Sequence, residues 1–294
     1  MVAVRNIQRI TKTMQMIATA KFTSALQRAK ASQPYAKRIR EMVSDVAAAA
    51  GDVENPLLKA PAEPKKKELM LVIASDRGLC GAYNGNVLRA ALNYIRGLKG
   101  RGSQIVLETS GKKANAFFKF AGVPVAQRHT IGDKPRYEEV RRLAEKYLER
   151  FAAGEFDAVR VASMRFISAA RQSAEVMQLL PLAPPQAAGA VQLAGAGTER
   201  TSGKSTRVEA NYEFSPSSEA LLAELLPESV KVSLFQAFND AIVSEQVMRM
   251  VAMKAATDNA RQLGKTLKRK FNRARQTQIT TELMEVIAGA AALE

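Results

Sequence analysis

The chain has 294 residues, 47% of them apolar, and a formal charge of +16. That is enough for one or two domains with a sizeable core, and the charge favours an acidic partner such as nucleic acid, an anionic membrane or an acidic protein surface. One cysteine (Cys80) and one histidine (His129) exclude a disulfide framework or a Cys/His zinc site within the chain, and a reducing compartment is the default. No apolar run reaches the ~18–20 residues of a membrane span and no secretory h-region opens the chain, so direct membrane insertion is not expected.

Met1 to about Ala50 reads as a long helix, the core of an N-terminal unit over 1–55. Ile7, Ile10, Met14 and Ile17 keep three/four spacing, and Ile39, Met42, Val46 and Ala49 resume it, which marks them as the expected buried stripe. Pro34 predicts a kink or short break near Gln33. Residues 56–67, dense in proline and lysine, read as a linker.

Residues 68–215 change character. Strands are expected at Leu69–Ala74, Gln104–Leu107 and Val159–Met164, and helices at Asn84–Leu98, Lys112–Phe120 and Tyr137–Ala153. This alternation predicts a mostly parallel sheet with helices on its faces, a Rossmann-like α/β domain. Met177–Leu182 and Arg207–Phe214 are candidate edge strands, and 186–206, rich in Ala, Gly, Ser and Thr, reads as a mobile loop.

The last stretch, 216–294, is a second long helix, expected from Glu228 onward with Pro227 just ahead of it, where a missing N–H costs nothing. Its expected seam runs Leu234, Phe238, Ala241, Met248, Ala252 and Ala255, then Leu263, Leu267, Phe271 and Ala274. At about 1.5 Å per residue it would be roughly 95 Å long, too long to lie inside a globule. Two terminal helices that cannot bury their stripes alone predict an antiparallel coiled coil with the α/β domain inserted between them. The fold class is therefore α/β, with a long coiled coil of the N- and C-terminal helices.

Candidate chemistry is sparse. Ser75 to Asn84 (SDRGLCGAYN) sits at the strand-to-helix turn where a doubly wound fold binds phosphate, yet it has neither G-x-G-x-x-G nor a P-loop. Its glycines are better read as a tight turn with close strand–helix packing. Cys80 lacks a neighbouring base in sequence, and His129, between Arg128 and Thr130, is expected in an exposed loop. No close carboxylate pair falls on a strand end, so no catalytic site and no cofactor or metal are expected.

The basic residues carry more. No acid stands between Asp258 and Glu282, while Arg261, Lys265, Lys268, Arg269, Lys270, Arg273 and Arg275 do. Such a helix suits a nucleic-acid grip, a positive shaft facing acidic protein loops or a merely solvated face, and composition does not choose between the first two. The end of the chain is apolar or small almost all round: Ile279, Leu283, Val286 and Ile287 precede the Ala/Gly run 288–292. Being on the longer helix, this tip is expected to project and to need an apolar socket on another protein.

Three stretches resemble the gamma-subunit family of bacterial F-type ATP synthase: Ile10–Lys21 (ITKTMQMIATAK), Ser75–Asn84, and a C-terminal set of Arg249–Asn259 (RMVAMKAATDN), Asn272–Gln276 (NRARQ), Ile279–Thr280 and Ala288–Ala291 (AGAA). They span nearly the whole chain in the family's order. The resemblance implies a central rotor, one copy per complex, turning inside three alpha and three beta subunits, with its foot beside epsilon and the c-ring. Such a subunit couples ion flow to ATP synthesis and performs no chemistry itself. It implies beta-subunit contacts at Met14, Arg249, Arg275 and Gln276, and a foot contact with the c-ring at Tyr212 and Glu213. The tip residues Ile279, Leu283, Val286 and Ile287 would run in an apolar bearing. The implied location is peripheral, on the cytoplasmic face of a bacterial inner membrane. Two departures stand out: the family usually carries further helical turns ahead of Thr11 and Lys12, and Phe214 and Ser215 replace its usual Pro and Asp. The two-cysteine insertion of chloroplast relatives is absent, so no thiol switch is expected.

Overall fold

The computed structural model describes residues 2–50, 55–58, 65–182 and 217–291. Helix α1 spans Val2–Ala50 and helix α5 spans Ser218–Ala291, so the latter is 74 residues and ~110 Å long. They pack antiparallel. Val4 lies near Gly264, the Thr11 and Thr257 hydroxyls meet at 2.8 Å, Ala25 and Ala29 pack on Val243, and Val46 packs on Leu222 and Leu226.

The seam follows only part of the expected stripe: Ile39 and Val46 are buried as expected, but the earlier isoleucines are not. On α1 the buried positions are Ala18, Ala25, Ala29, Ala36, Ile39 and Val46, spaced by sevens, fours and threes as a coiled coil requires. Ile7, Ile10 and Ile17 point outward, 53%, 58% and 53% exposed. Helix α5 explains the choice. Its middle is covered on two sides, and its larger residues Val230, Leu234 and Phe238 are drawn to the sheet. Small α1 residues then let the two backbones approach closely along the other side.

Neither proline ends a helix. Pro34 lies inside α1, which runs on without the expected break, and Pro227 lies inside α5, which begins at Ser218 instead of near Glu228. Proline removes one backbone hydrogen bond and crowds the preceding turn. Packing of Leu222 and Leu226 against Val46 holds the first turns of α5 in place regardless.

Between the long helices lies a five-stranded sheet: β1 (Lys67–Ile73), β2 (Gln104–Ser110), β3 (Val125–His129), β4 (Ala158–Phe166) and β5 (Gln172–Leu180). Its order is β3-β2-β1-β4-β5, parallel except for the antiparallel β5. Helices α2 (Tyr83–Gly100) and α3 (Lys112–Phe120) cover one face, burying Tyr83, Val87, Ile95 and Phe118 against Met70 and Val72. On the other face α4 (Tyr137–Ala152) and α5 itself lie over Leu69, Leu71, Ile73, Val159 and Val161. The C-terminal helix is therefore both shaft and one layer of the inserted domain. Of the expected linker, Leu57 packs into this core and accepts a hydrogen bond from the Leu182 N–H at 2.7 Å. The expected 186–206 loop and Arg207–Phe214 strand, with Tyr212 and Glu213, lie outside the described residues.

His129 is not exposed. It sits on β3, a short strand that the polar run Gln127–His129 conceals, and its Nε2 lies 2.6 Å from the Glu108 carboxylate. Glu108 is buried on β2 and also accepts from the Tyr147 hydroxyl at 2.8 Å and Arg150 at 3.1 Å. Burial opposes its charge, but the His129 and Tyr147 hydrogen bonds win and hold its pKa below the usual carboxylate value.

Candidate functional site: the collar and the projecting shaft

The strand-to-helix turn after β1 is where the inserted domain grips the shaft. Ser75 Oγ donates to the Arg77 carbonyl at 2.6 Å. The Asn84 side chain accepts from the Ser75 N–H at 3.1 Å and donates to Ser75 Oγ at 2.7 Å and Cys80 Sγ at 3.1 Å. Asp76 accepts from the Lys112 N–H at 3.0 Å, satisfying a free donor at the start of α3. Two glycines make room. A Cβ on Gly111 would stand 2.1 Å from the Ala74 carbonyl oxygen, at a φ of +100°. Gly81, at φ +58°, faces Ala252 and the Met248 carbonyl of α5.

So fixed, the turn presents the carbonyls of Arg77 and Gly78, which accept from Arg249 Nη2 at 3.3 and 3.4 Å. Arg249 also pairs with Glu245 one turn earlier at 2.7 Å, and both side chains are largely buried. Burial raises the Glu245 pKa and Arg249 opposes that rise. Across the junction Lys21 of α1 pairs with Asp133, whose backbone carbonyl accepts from Arg28 at 3.4 Å. The Lys21 hydrogen bond lowers the Asp133 pKa against a burial cost. Two polar contacts thus hold the inserted domain to the shaft, a collar in which the 130–136 loop grips α1 and the β1 turn grips α5. The crevice at the C-terminal ends of the strands, where doubly wound sheets hold ligands, has α5 packed on its turn at Met248, Arg249 and Ala252. Cys80 is buried beside Asn84 and Ser75.

The remaining expected site residues lie higher on the shaft. Met14 is half-buried. Past its contact with Val4 at Gly264, α5 continues from Lys265 to Ala291, roughly 40 Å further at about 1.5 Å per residue. Lys268 to Gly289 are all exposed, Arg275 and Gln276 included. Ile279, Leu283, Val286 and Ile287 are exposed among the described residues, Val286 at 70%. Two pairs of the collar, Lys21–Asp133 and Glu245–Arg249, are not among the residues the sequence singles out as a set. The latter is legible as an i, i+4 pair of opposite charge; the former joins residues far apart in the chain.

Two long antiparallel helices carrying an inserted α/β domain define a stalk-type protein. Comparison with known proteins gives its family. A family model described as ATP synthase matches residues 1–293. The ATP synthase gamma chain of Rhodopirellula baltica is 43% identical over 99% of this chain and 96% of the relative. That of Leptospira biflexa is 38% identical over the same shares. The fold is also that of a chain in the rotor of Euglena gracilis mitochondrial ATP synthase, with a TM-score of 0.60 at 17% identity over 94% of this chain and 95% of that one. The chain belongs to the ATP synthase gamma-chain family.

Proposed function

We propose that this chain is the central rotor of a bacterial F-type ATP synthase and works as a single copy inside three alpha and three beta subunits. The observation that carries the reading is the bare end of α5, basic and then apolar, on a shaft braced at its collar. A basic stretch attracts acidic loops of surrounding subunits with a strength that changes with angle, and a braced two-helix shaft transmits torque. In this reading Met14, Arg275 and Gln276 face the beta subunits, and Ile279, Leu283, Val286 and Ile287 turn in an apolar sleeve. Arg249 offers beta little free guanidinium; it acts through the β1 turn it holds. Tyr212 and Glu213 meet the c-ring, epsilon sits beside the foot, and the complex lies on the cytoplasmic face of the inner membrane. The family assignment lends nothing to the nucleic-acid alternative.

Reconstitution tests this. Mixed with alpha and beta subunits, the chain should enter at one copy per hexamer and support ATP hydrolysis, and excess duplex DNA at physiological salt should not displace it. Charge reversal at Arg275 should lower ATP-driven ion pumping more than hydrolysis, with thermal stability unchanged. Failure to assemble, or displacement by DNA, would overturn the reading.

A further inference from the structure

Strand β4 outruns its inner neighbour. It pairs with β1 only over Ala158–Ala162, while its pairing with β5 continues to Phe166. From Ser163 onward the β4–β5 hairpin therefore overhangs β1, and the helices around it hold it. Its α2 side is apolar, with Met164 and Ala174 in the cluster of Tyr83 and Val87. Toward the long helices Phe166 sets its ring against Phe22 of α1 at 6.3 Å, beside Leu26, Ala29 and Val243. The Phe166 backbone N–H donates to Asp240 of α5.

This second side carries charge. Alternation along β4 sends Arg165 to the same face as Val161, toward α5, and Glu175 of β5 stands 3.8 Å from it. Asp240 meets both from α5. On the α1 side the neighbours are the apolar Phe22, Leu26 and Ala29, and α5 itself adds the Gln236 amide. Two carboxylates thus face one guanidinium. Full ionisation leaves a negative charge over in a largely enclosed site, and a single proton balances it. Gln236 gives Asp240 its Nε2–H at 2.8 Å and keeps a buried Oε1 without a donor. A protonated Asp240 supplies that donor once the amide turns over. Burial favours the proton on either acid, raising Asp240 to about 6 and Glu175 above its usual value.

We infer that the hairpin tip is a proton-controlled latch: with one proton held between Asp240 and Glu175 it closes on α1 and α5, and with both acids charged it swings off them. The closed form binds the proton more tightly, so closure is complete at low pH and weakens as pH rises from about 4 through about 6. The latch is a second grip of the inserted domain on the shaft, beside the collar. Every group in it belongs to this chain, so it stands apart from the rotor reading.

Hydrogen exchange on the full chain reads it. The Phe166 amide should open far more often than that of Leu71 in β1, at a rate indifferent to low urea, which marks a local event. Corrected for the intrinsic rate, that opening should rise about tenfold from about pH 5 to about pH 8. Asp240→Asn should flatten the profile and keep the tip closed at the higher pH. Glu175→Gln removes the charge that repels Asp240 and should leave a smaller rise. The latch is overturned if Phe166 exchanges only together with Leu71, if its opening ignores pH, or if the rise survives Asp240→Asn. Should that variant fail to fold, Glu175→Gln decides alone: a smaller rise supports the shared proton and an unchanged one refutes it.

Discussion

Asp240 is a charge in the wrong place. It lies on the part of α5 enclosed between α1 and the sheet, and burial raises its pKa from the usual 3.8 to about 6. A hydrogen bond from Gln236 at 2.8 Å and the charge of Arg165 pull it down, and nearby Glu175 pushes it up. The folded state thus holds the proton more tightly than the unfolded chain. Its stabilising effect is fully present below the unfolded pKa and is lost as pH rises from about 4 through about 6. A rise of that size corresponds to about 3 kcal/mol, an upper figure since the group is not wholly enclosed. Asp240→Asn should recover about 1–3 kcal/mol near neutral pH and nothing near pH 4. Asparagine still accepts from Gln236, and its amide can serve the Gln236 Oε1, which has no partner now. Thermal melts of both proteins across this pH range measure the gap. A gap that does not change with pH, or an Asn variant less stable at neutral pH, would refute the reasoning.

Two other changes test the collar and the seam. Arg249→Ala strands two carbonyls and leaves Glu245 buried without its partner, so it should cost about 3 kcal/mol. Adding Glu245→Gln should give part of that back, and a double-mutant cycle in denaturant reads the coupling. In the seam, Ala25→Leu overfills the contact with Val243 and should cost about 1–3 kcal/mol. Ile10→Ala, on the outward stripe, should stay within about 0.5 kcal/mol in the isolated chain, and melting temperatures separate the two.

Period and punctuation are legible in the sequence. The limits of α3 are those expected, Lys112–Phe120, because Gly111 and Gly122 bracket it. Strand–helix alternation is enough to predict the parallel sheet, and the lengths of the terminal helices are enough to predict their pairing. Size is the misleading signal in the first half of α1: Ile7, Ile10 and Ile17 look like the seam, yet Ala18, Ala25 and Ala29 form it, and only further on do Ile39 and Val46 join, since α5 spends its bulk on the sheet. Strand β3 escapes because only Val125 in it is apolar apart from one alanine, and an edge strand supported by pairing on one side needs no alternation. The burial of His129 depends on Glu108, 21 positions away and invisible to local pattern. The collar is half visible: the turn reads as tight packing, but its partner helix lies about 170 residues later, with Arg249 reaching Gly78.

That helix α5 supplies a layer of the inserted domain has a consequence for biosynthesis. A nascent chain that has reached Leu180 carries every described strand of the sheet but leaves one face, with Leu69, Leu71 and Val161, covered by α4 alone and missing its α5 half. The fold cannot be completed until residues up to about Ala241 leave the ribosome. A copy released early by truncation would therefore be a sheet with one apolar face only half covered, a substrate for chaperones rather than a smaller version of the protein.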